Sequence, residues 1–154
     1  MTLRTIEWKN NEVIMIDQTK LPNELVYVKF TDYNDVAEAI RTLVVRGAPA
    51  IGVSGAFGMA LAGLQSKAET KEELLSDLEK AQKILFMTRP TAVNLVWGLE
   101  QIMKVAKQND SVDEIKESII DKAKQMADDD IKINREMGKH GSQLFENNDS
   151  VMTH

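Results

Sequence analysis

The spacing of apolar residues changes once along this chain, near Thr31, and that change sets the fold class. Before it, apolar residues alternate with polar ones around Ile6 and Trp8 or form a short run at Val13–Ile16, as in β-strands. After it, apolar residues recur every three or four positions, which is typical of amphipathic helices. The sequence therefore predicts an α+β, mostly helical fold: a small antiparallel sheet over residues 1–30, followed by a helical bundle.

Local signals predict the ends of the strands and of the first helix. Lys9–Glu12 is a hairpin turn and Leu25–Phe30 is a third strand. Thr31 or Asp32 caps the first helix, which is expected to continue to about Arg46, where a glycine and a proline follow. Its apolar stripe consists of Val36, Ala39, Ile40, Leu43 and Val44.

The rest of the bundle, predicted over residues 31–148, contains four more helices. Two capping boxes, Thr70–Glu73 and Ser111–Glu114, mark the starts of the third and fifth helices. Thr88–Pro90 separates the third from the fourth, and the fifth is expected to break near Gly138. The residues of the fifth helix that we expect to face the core are Ile115, Ile119, Met126, Ile133 and Met137.

The second helix, expected from about Ala50 to Leu64, is unusually rich in glycine, alanine and serine. Each glycine costs about 1 kcal/mol relative to alanine in a helix, so their number calls for a packing or ligand reason. We expect them to let another backbone approach closely. Proline and glycine make this apolar stretch too short and too broken for a membrane span.

Composition excludes several classes of function. The chain has no cysteine, and its two histidines are His140 and His154, so disulfides, thiolate zinc sites, cysteine nucleophiles and histidine-rich metal sites are not expected. The net charge of −5 argues against a nucleic-acid surface. The polar segment Met1–Trp8 is no signal peptide, and the cytoplasm is the expected location.

Arg46-Gly47-Ala48 is the segment most suggestive of a ligand site. Gly47 removes a side chain where backbone N–H groups could meet a ligand, and Pro49 suits the first turn of the next helix. A helix N-terminus and an arginine fork both attract phosphate. The alternative is a plain interhelical turn in which Arg46 pairs with a surface carboxylate, and spacing alone favours that alternative.

Arg89, in Thr88-Arg89-Pro90-Thr91, stands in a similar turn ahead of the fourth helix. Two such arginines could converge on one anion, or Arg89 could simply complement the C-terminal end of the third helix; the residues alone favour the second reading. His140 is interpreted as a cap or a surface group. Asp130, in a short acidic run, falls near the apolar stripe of the fifth helix, where a solvated position and a buried carboxylate are both open.

Four segments of the chain carry a recognisable pattern: Ile6–Trp8, Ile16–Pro22, Val45–Val53 and Thr88–Leu95. Together they resemble the methylthioribose-1-phosphate isomerase family, and they occur in that family's order. Its relatives are ribose-1,5-bisphosphate isomerase and the regulatory subunits (alpha, beta and delta) of translation initiation factor 2B. The strings Asp17–Pro22 and Thr88–Thr91 favour the isomerase of methionine salvage.

The resemblance implies an aldose–ketose isomerase that converts 5-methylthioribose 1-phosphate into 5-methylthioribulose 1-phosphate, with no metal and no organic cofactor. It also implies that Arg46, Gly47 and Ala48 bind the substrate together with Arg89, which reverses the preference for plain turns. The implied partner is a sugar phosphate, not a nucleic acid or a membrane.

The family's catalytic Cys and Asp lie in a larger Rossmann-like C-terminal domain. Residues 149–154 look like the start of that domain, with Val151–Thr153 beginning a strand that leads to the Cys. We therefore expect the catalytic residues beyond His154, the Rossmann-like domain to be missing here, and this N-terminal domain to be inactive alone. The parent is expected to be a homodimer. A non-enzymatic regulator related to initiation factor 2B and an independent binding module stay open as alternatives.

Overall fold

A computed structural model describes residues 4–152 of the 154-residue chain. A small antiparallel sheet with strand order β1-β2-β3 precedes the helices, as the periodicity predicts. Its first two strands form a hairpin whose turn residues Asn10 and Asn11 have φ of 53° and 60°, the left-handed pair that a two-residue turn requires. The strands are β1 (Ile6–Lys9), β2 (Glu12–Ile16) and β3 (Tyr27–Phe30).

The third strand begins at Tyr27 rather than at Leu25. Ile16, the last residue of β2, pairs with Tyr27, so the residues before Tyr27 have no strand beside them. Leu25 is accordingly 54% exposed.

Within residues 4–152, five helices follow the sheet, and side chains cap three of them. Asp32 caps α1 through the Asn34 N–H, and complete capping boxes at Thr70 and Ser111 start α3 and α5, as the sequence predicts. The helices are α1 (Tyr33–Arg41), α2 (Ala48–Gln65), α3 (Lys71–Thr88), α4 (Val93–Gln108) and α5 (Val112–Ser142).

The predicted end of α1 near Arg46 is wrong, because the helix stops at Arg41. Leu43 adopts a left-handed φ of 63°, and the Val44 N–H donates to the Ala39 carbonyl at 2.9 Å. This is the Schellman arrangement that usually has glycine at the left-handed position. Residues 42–47 therefore lie beyond the end of the helix and form a connecting turn.

The predicted break of α5 at Gly138 is also wrong. A side chain at Gly138 would meet no other atom within 4 Å, and a single exposed glycine costs only about 1 kcal/mol in a helix. The expected inward positions Ile133 and Met137 are each 58% exposed, because the core that covers α5 ends at Ala127.

The C-terminal residues form no strand as far as the structure describes them. Val151 and Met152 are irregular and exposed. Thr153, the third residue of the strand expected there, and His154 lie outside the described residues.

Helix α2 is the centre of the core and packs against all four other helices. The expectation that this stretch is too short and too broken for a membrane span is wrong on length and composition, because α2 is an unbroken helix of 18 residues with a mean hydropathy of 1.2. However, 72% of it is buried inside the protein. The expected close approach occurs between α2 and α4. A Cβ on Gly98 would lie 2.5 Å from the Gly52 carbonyl oxygen, and one on Gly52 would lie 2.7 Å from the Asn94 oxygen.

Candidate functional site

Two connecting turns, residues 42–47 and 89–92, meet at one end of the bundle and enclose a cleft of about 540 Å³. The close contact between α2 and α4 brings the first turns of these helices side by side. The four predicted binding residues therefore line one cleft, although Arg46 and Arg89 are far apart in sequence. The lining residues are Leu43, Arg46, Gly47, Ala48, Ile51, Arg89, Thr91, Ala92, Val93 and Asn94.

The helices that begin at this cleft have no side-chain caps. Gly47 precedes α2 with φ 96° and ψ 130°, and Ala92 precedes α4; neither offers an acceptor to the first backbone N–H groups. No acidic residue lies in the first turn of either helix. Unpaired N–H groups and the positive ends of two helix dipoles thus lie beside one cavity, and this arrangement favours an anion.

Both arginines of the cleft lack a carboxylate partner within residues 4–152. No ion pair there includes Arg46 or Arg89, whereas Arg41 contacts Glu38 and Arg4 contacts Asp128. Arg46 is exposed and Arg89 is half-buried. The surface pairing considered for Arg46 is not found among the described residues, and Arg89 engages the end of α3 through its backbone N–H, which donates to the Phe86 carbonyl at 3.3 Å.

The loop after β2 holds the turn that carries Arg46. The Gln18 backbone N–H donates to the Val44 carbonyl at 2.9 Å, and the Gln18 side-chain amide donates to the Arg46 carbonyl at 3.2 Å. Asp17 is buried and accepts from the Thr19 N–H and hydroxyl at 3.0 and 2.6 Å. The Asp17 carboxylate therefore orders the loop, and Gln18 attaches the loop to the turn that lines the cleft.

Apolar side chains form part of the cleft wall, and sequence reasoning did not single them out. Leu43 is 41% exposed and Val93 is 77% exposed, and both line the cavity with Ile51. The sequence predicts Leu43 within the first helix. Its place in the cleft wall depends on its left-handed backbone conformation, which helical spacing does not indicate. Gln18 lay within a string recognised by resemblance, but no local signal linked it to Arg46.

A second cavity, of about 470 Å³, lies on the other side of the α2 N-terminus. Partial burial raises the pKa of Asp130 there, opposed by a hydrogen bond from the Asn134 amide at 2.9 Å. Asp130 is thus half-buried, between the two readings that the sequence left open. The main lining residues are Arg4, Gly47, Pro49, Ala50, Asp130 and Arg135.

Other candidate groups do not converge on a site. His140 lies exposed in the last turn of α5. Within residues 4–152, no three His, Asp or Glu side chains are grouped so that they could hold a metal ion. The cleft between the two arginines is therefore the candidate site.

Comparison with known proteins identifies the family. Residues 44–154 match the family model described as the initiation factor 2 subunit family. The chain belongs to the initiation factor 2 subunit family. Within it, the methylthioribose-1-phosphate isomerase of Geobacter metallireducens is 45% identical over 156 aligned residues, which cover 100% of this chain and 45% of that protein. The chain thus spans less than half the length of the curated relatives that it matches.

Two solved structures of this family share the fold. The 5-methylthioribose 1-phosphate isomerase of Pyrococcus horikoshii has a TM-score of 0.88 and 49% identity, covering 92% of this chain and 40% of that one. The delta subunit of translation initiation factor eIF-2B from A. fulgidus also has a TM-score of 0.88, with 41% identity, covering 96% of this chain and 43% of that one. Both isomerases and initiation-factor subunits are therefore built on this arrangement of sheet and helices.

Proposed function

We propose that this chain is the N-terminal substrate-binding domain of a methylthioribose-1-phosphate isomerase and that its cleft binds the substrate's phosphate. The observation that carries the proposal is the convergence of Arg46 and Arg89 on one cavity at two uncapped helix N-termini. Because a phosphate dianion needs several donors and compensating charge, the cleft provides what it requires. The names of similar proteins supply the sugar.

The roles of the cleft residues follow from their chemistry. Each guanidinium would donate to phosphate oxygens, and the backbone N–H groups of Gly47 and Ala48 would complete the coordination. Gly47 suits this role because its φ of 96° is strained for any side chain. A methyl group at this position would add left-handed strain beside the anion.

The proposal assigns the bond-making steps to residues outside this chain. The chain has no cysteine, and resemblance to the family implies a catalytic Cys and Asp in a Rossmann-like domain that residues 149–154 would enter. The relatives' greater length leaves room for such a domain. We therefore propose that this chain binds the sugar phosphate in the cytoplasm, without cofactor, and does not isomerise it alone.

Titration of the ¹⁵N-labelled chain with methylthioribose 1-phosphate tests binding directly. We expect the amide signals of Gly47, Ala48 and Asn94 to shift. Arg46→Ala and Arg89→Ala should each weaken affinity at least tenfold, since a hydrogen bond to a charged group contributes roughly 1.5–3 kcal/mol.

Arg41→Ala is the matched control for that titration, because it removes the same charge from a residue that contacts Glu38 and does not line the cleft. Unchanged affinity in both cleft variants, or shifts confined to other residues, would contradict the phosphate site. Turnover of the substrate by the chain would contradict the claim that it is inactive alone.

A regulatory or binding subunit is the second candidate, supported by the family description and by the initiation-factor subunit with the same fold. Such a protein has no need to select a methylthio sugar. Equal affinities for inorganic phosphate and methylthioribose 1-phosphate would favour it, whereas a clear preference for the sugar phosphate would favour the isomerase domain. A ribose-1,5-bisphosphate isomerase would instead prefer the bisphosphate.

A further inference from the structure

Gln18 is the one residue of its loop that bonds to the cleft turn through both backbone and side chain. Its backbone N–H reaches the Val44 carbonyl at 2.9 Å, and its side-chain amide reaches the Arg46 carbonyl at 3.2 Å. Gln18 itself does not line the cleft. It therefore affects a ligand in the cleft only through the residues it holds.

The first part of the turn is fixed without the Gln18 side chain, because the Val44 and Val45 N–H groups donate to the Ala39 carbonyl at 2.9 and 3.4 Å and Val45 is buried in the core. Leu43 and Gly47 both have left-handed φ values, 63° and 96°, and Arg46 and Gly47 are exposed. The end of the turn differs: α2 begins only at Ala48, and within residues 4–152 the Arg46 carbonyl accepts no hydrogen bond other than the one from the Gln18 amide. A bond to the Arg46 carbonyl is thus a principal constraint on the Arg46–Gly47 peptide.

We propose that Gln18 is a positioning residue that orients the Arg46–Gly47 peptide for anion binding; the inference rests on the proposed phosphate site. The carbonyl and N–H of a trans peptide point in opposite directions. Because Gln18 holds the Arg46 carbonyl on its own side, the Gly47 N–H points to the opposite side. One side-chain bond thereby sets the direction of a backbone donor and the origin of the Arg46 side chain.

The loop is itself rigid enough for this role. The Asp17 N–H donates to the Val26 carbonyl at 2.8 Å, and the Asp17 carboxylate accepts twice from Thr19. The residue before Gln18 is therefore bonded to the residue that precedes β3, and the residue after Gln18 is held by the Asp17 carboxylate. Gln18 thereby connects this ordered loop to the turn, although the two residues that it joins are 28 positions apart in the sequence.

Gln18→Met tests the proposal, because methionine keeps the length of the side chain and removes the amide donor. The backbone bond to Val44 stays. We expect about tenfold weaker binding of methylthioribose 1-phosphate and a changed ¹H–¹⁵N residual dipolar coupling at Gly47 in the free protein. Gln18→Glu, which also lacks the donor, should bind no better than Gln18→Met.

Ser66→Ala is the matched control. It removes the hydrogen bond that the Ser66 hydroxyl donates to Asp77 and the one that it accepts from the Ala68 N–H, at the far end of the bundle, and urea unfolding of both variants measures their losses of stability. Its affinity and its Gly47 coupling should stay as in the wild type. Equal loss of affinity in Ser66→Ala and Gln18→Met would show that stability, not positioning, is responsible and would overturn the inference.

The two proposals fail in different ways. If the wild type does not bind methylthioribose 1-phosphate, the phosphate site is wrong, and the Gly47 coupling in ligand-free Gln18→Met still decides whether Gln18 orients the peptide. If the wild type binds and Gln18→Met binds within twofold of it with an unchanged coupling, the positioning role is wrong and the phosphate site stands.

Discussion

The two ends of the helical bundle satisfy their helix N-termini in opposite ways. At one end, α3 and α5 begin with complete capping boxes and two acidic residues each in the first turn. At the other end, α2 and α4 begin without a cap or an acidic residue, beside Arg46 and Arg89. The capped end supplies its own negative charge, whereas the cleft end presents N–H groups and positive charge to the solvent.

This difference assigns local helix stabilisation to the capped end and the proposed binding to the cleft end. The caps at Thr70 and Ser111 each add about 1 kcal/mol to the free energy of unfolding. Helices α2 and α4 have no side-chain cap and lack that contribution. Their position is secured instead by the contact between Gly52 and Gly98 and by burial of α2. The end that lacks local stabilisation is the end where an external anion would supply it, because a bound ligand stabilises the folded state.

The largest effect is expected from Gly98→Ala, which disrupts the close contact between α2 and α4 at the cleft end. The added methyl would stand 2.5 Å from a backbone oxygen, so α2 and α4 must separate, at a cost of about 3 kcal/mol. Urea unfolding measures this. Gly138→Ala is the control, since its methyl meets nothing and should raise the free energy of unfolding by up to about 1 kcal/mol. A mild cost in Gly98→Ala would show that the contact is dispensable.

Removing the caps at the other end should cost less and leave binding intact. Thr70→Ala and Ser111→Ala should each lower the free energy of unfolding by about 1 kcal/mol, because an N–H of the first turn loses its acceptor. Chemical denaturation measures the loss, and the affinity for methylthioribose 1-phosphate should not change. A weaker affinity in either variant would mean that the two ends are coupled.

Adding a side-chain cap to α4 at the cleft end should raise the stability of the chain, and an acidic cap should also weaken anion binding. Ala92 has the extended backbone of an N-cap residue, so Ala92→Ser should stabilise the chain by roughly 0.5 kcal/mol. Ala92→Asp should gain similar stability and weaken methylthioribose 1-phosphate binding at least tenfold, since its carboxylate occupies the N–H groups and repels the phosphate. Melting and titration of the two variants separate these effects, and intact binding in Ala92→Asp would exclude the α4 N-terminus from the site.

The smallest effect is expected on the free energy of unfolding at acid pH. Hydrogen bonds from the Glu69 and Thr70 backbone lower the pKa of Glu73 below its usual 4.5, and those from Ser111 lower that of Glu114. A lowered pKa gives stability that is present above pH 4.5 and lost as pH falls through the folded-state value. Glu73→Gln combined with Glu114→Gln should therefore flatten the decline of stability below pH 4.5, measured by unfolding at several pH values. An unchanged slope would assign acid sensitivity to other carboxylates.

Sequence predicts best the features that depend on adjacent residues. Capping boxes need four residues in a row, so the starts of α3 and α5 were predicted at Thr70 and Ser111 and are confirmed. The predicted end of α1 near Arg46 is wrong, because Leu43 takes a left-handed conformation that usually belongs to glycine, and its residue type gives no sign of it. The outward position of Ile133 depends on how far the core extends along α5, which helical spacing does not encode.

In the candidate site, too, the sequence indicates what adjacent residues determine and misses what depends on the packing of the helices. The residue types in the turns at Arg46 and Arg89 indicated an anion, but their meeting in one cleft depends on the contact between α2 and α4. Gln18 could not be linked to Arg46 from sequence, because they are 28 residues apart and joined by a side chain-to-backbone bond. The apolar wall at Val93 likewise becomes visible only once the helices are packed.

The glycine pair between α2 and α4 also limits how the cleft can vary. Gly52 and Gly98 already carry the smallest side chain, and a Cβ at either would lie within 2.7 Å of backbone. Any substitution at these positions can only move the helices apart, and none can bring them closer. The two uncapped helix ends therefore stand at the minimum separation that this crossing allows, so sequence change at the pair can adapt the cleft to a larger anion but not to a smaller one.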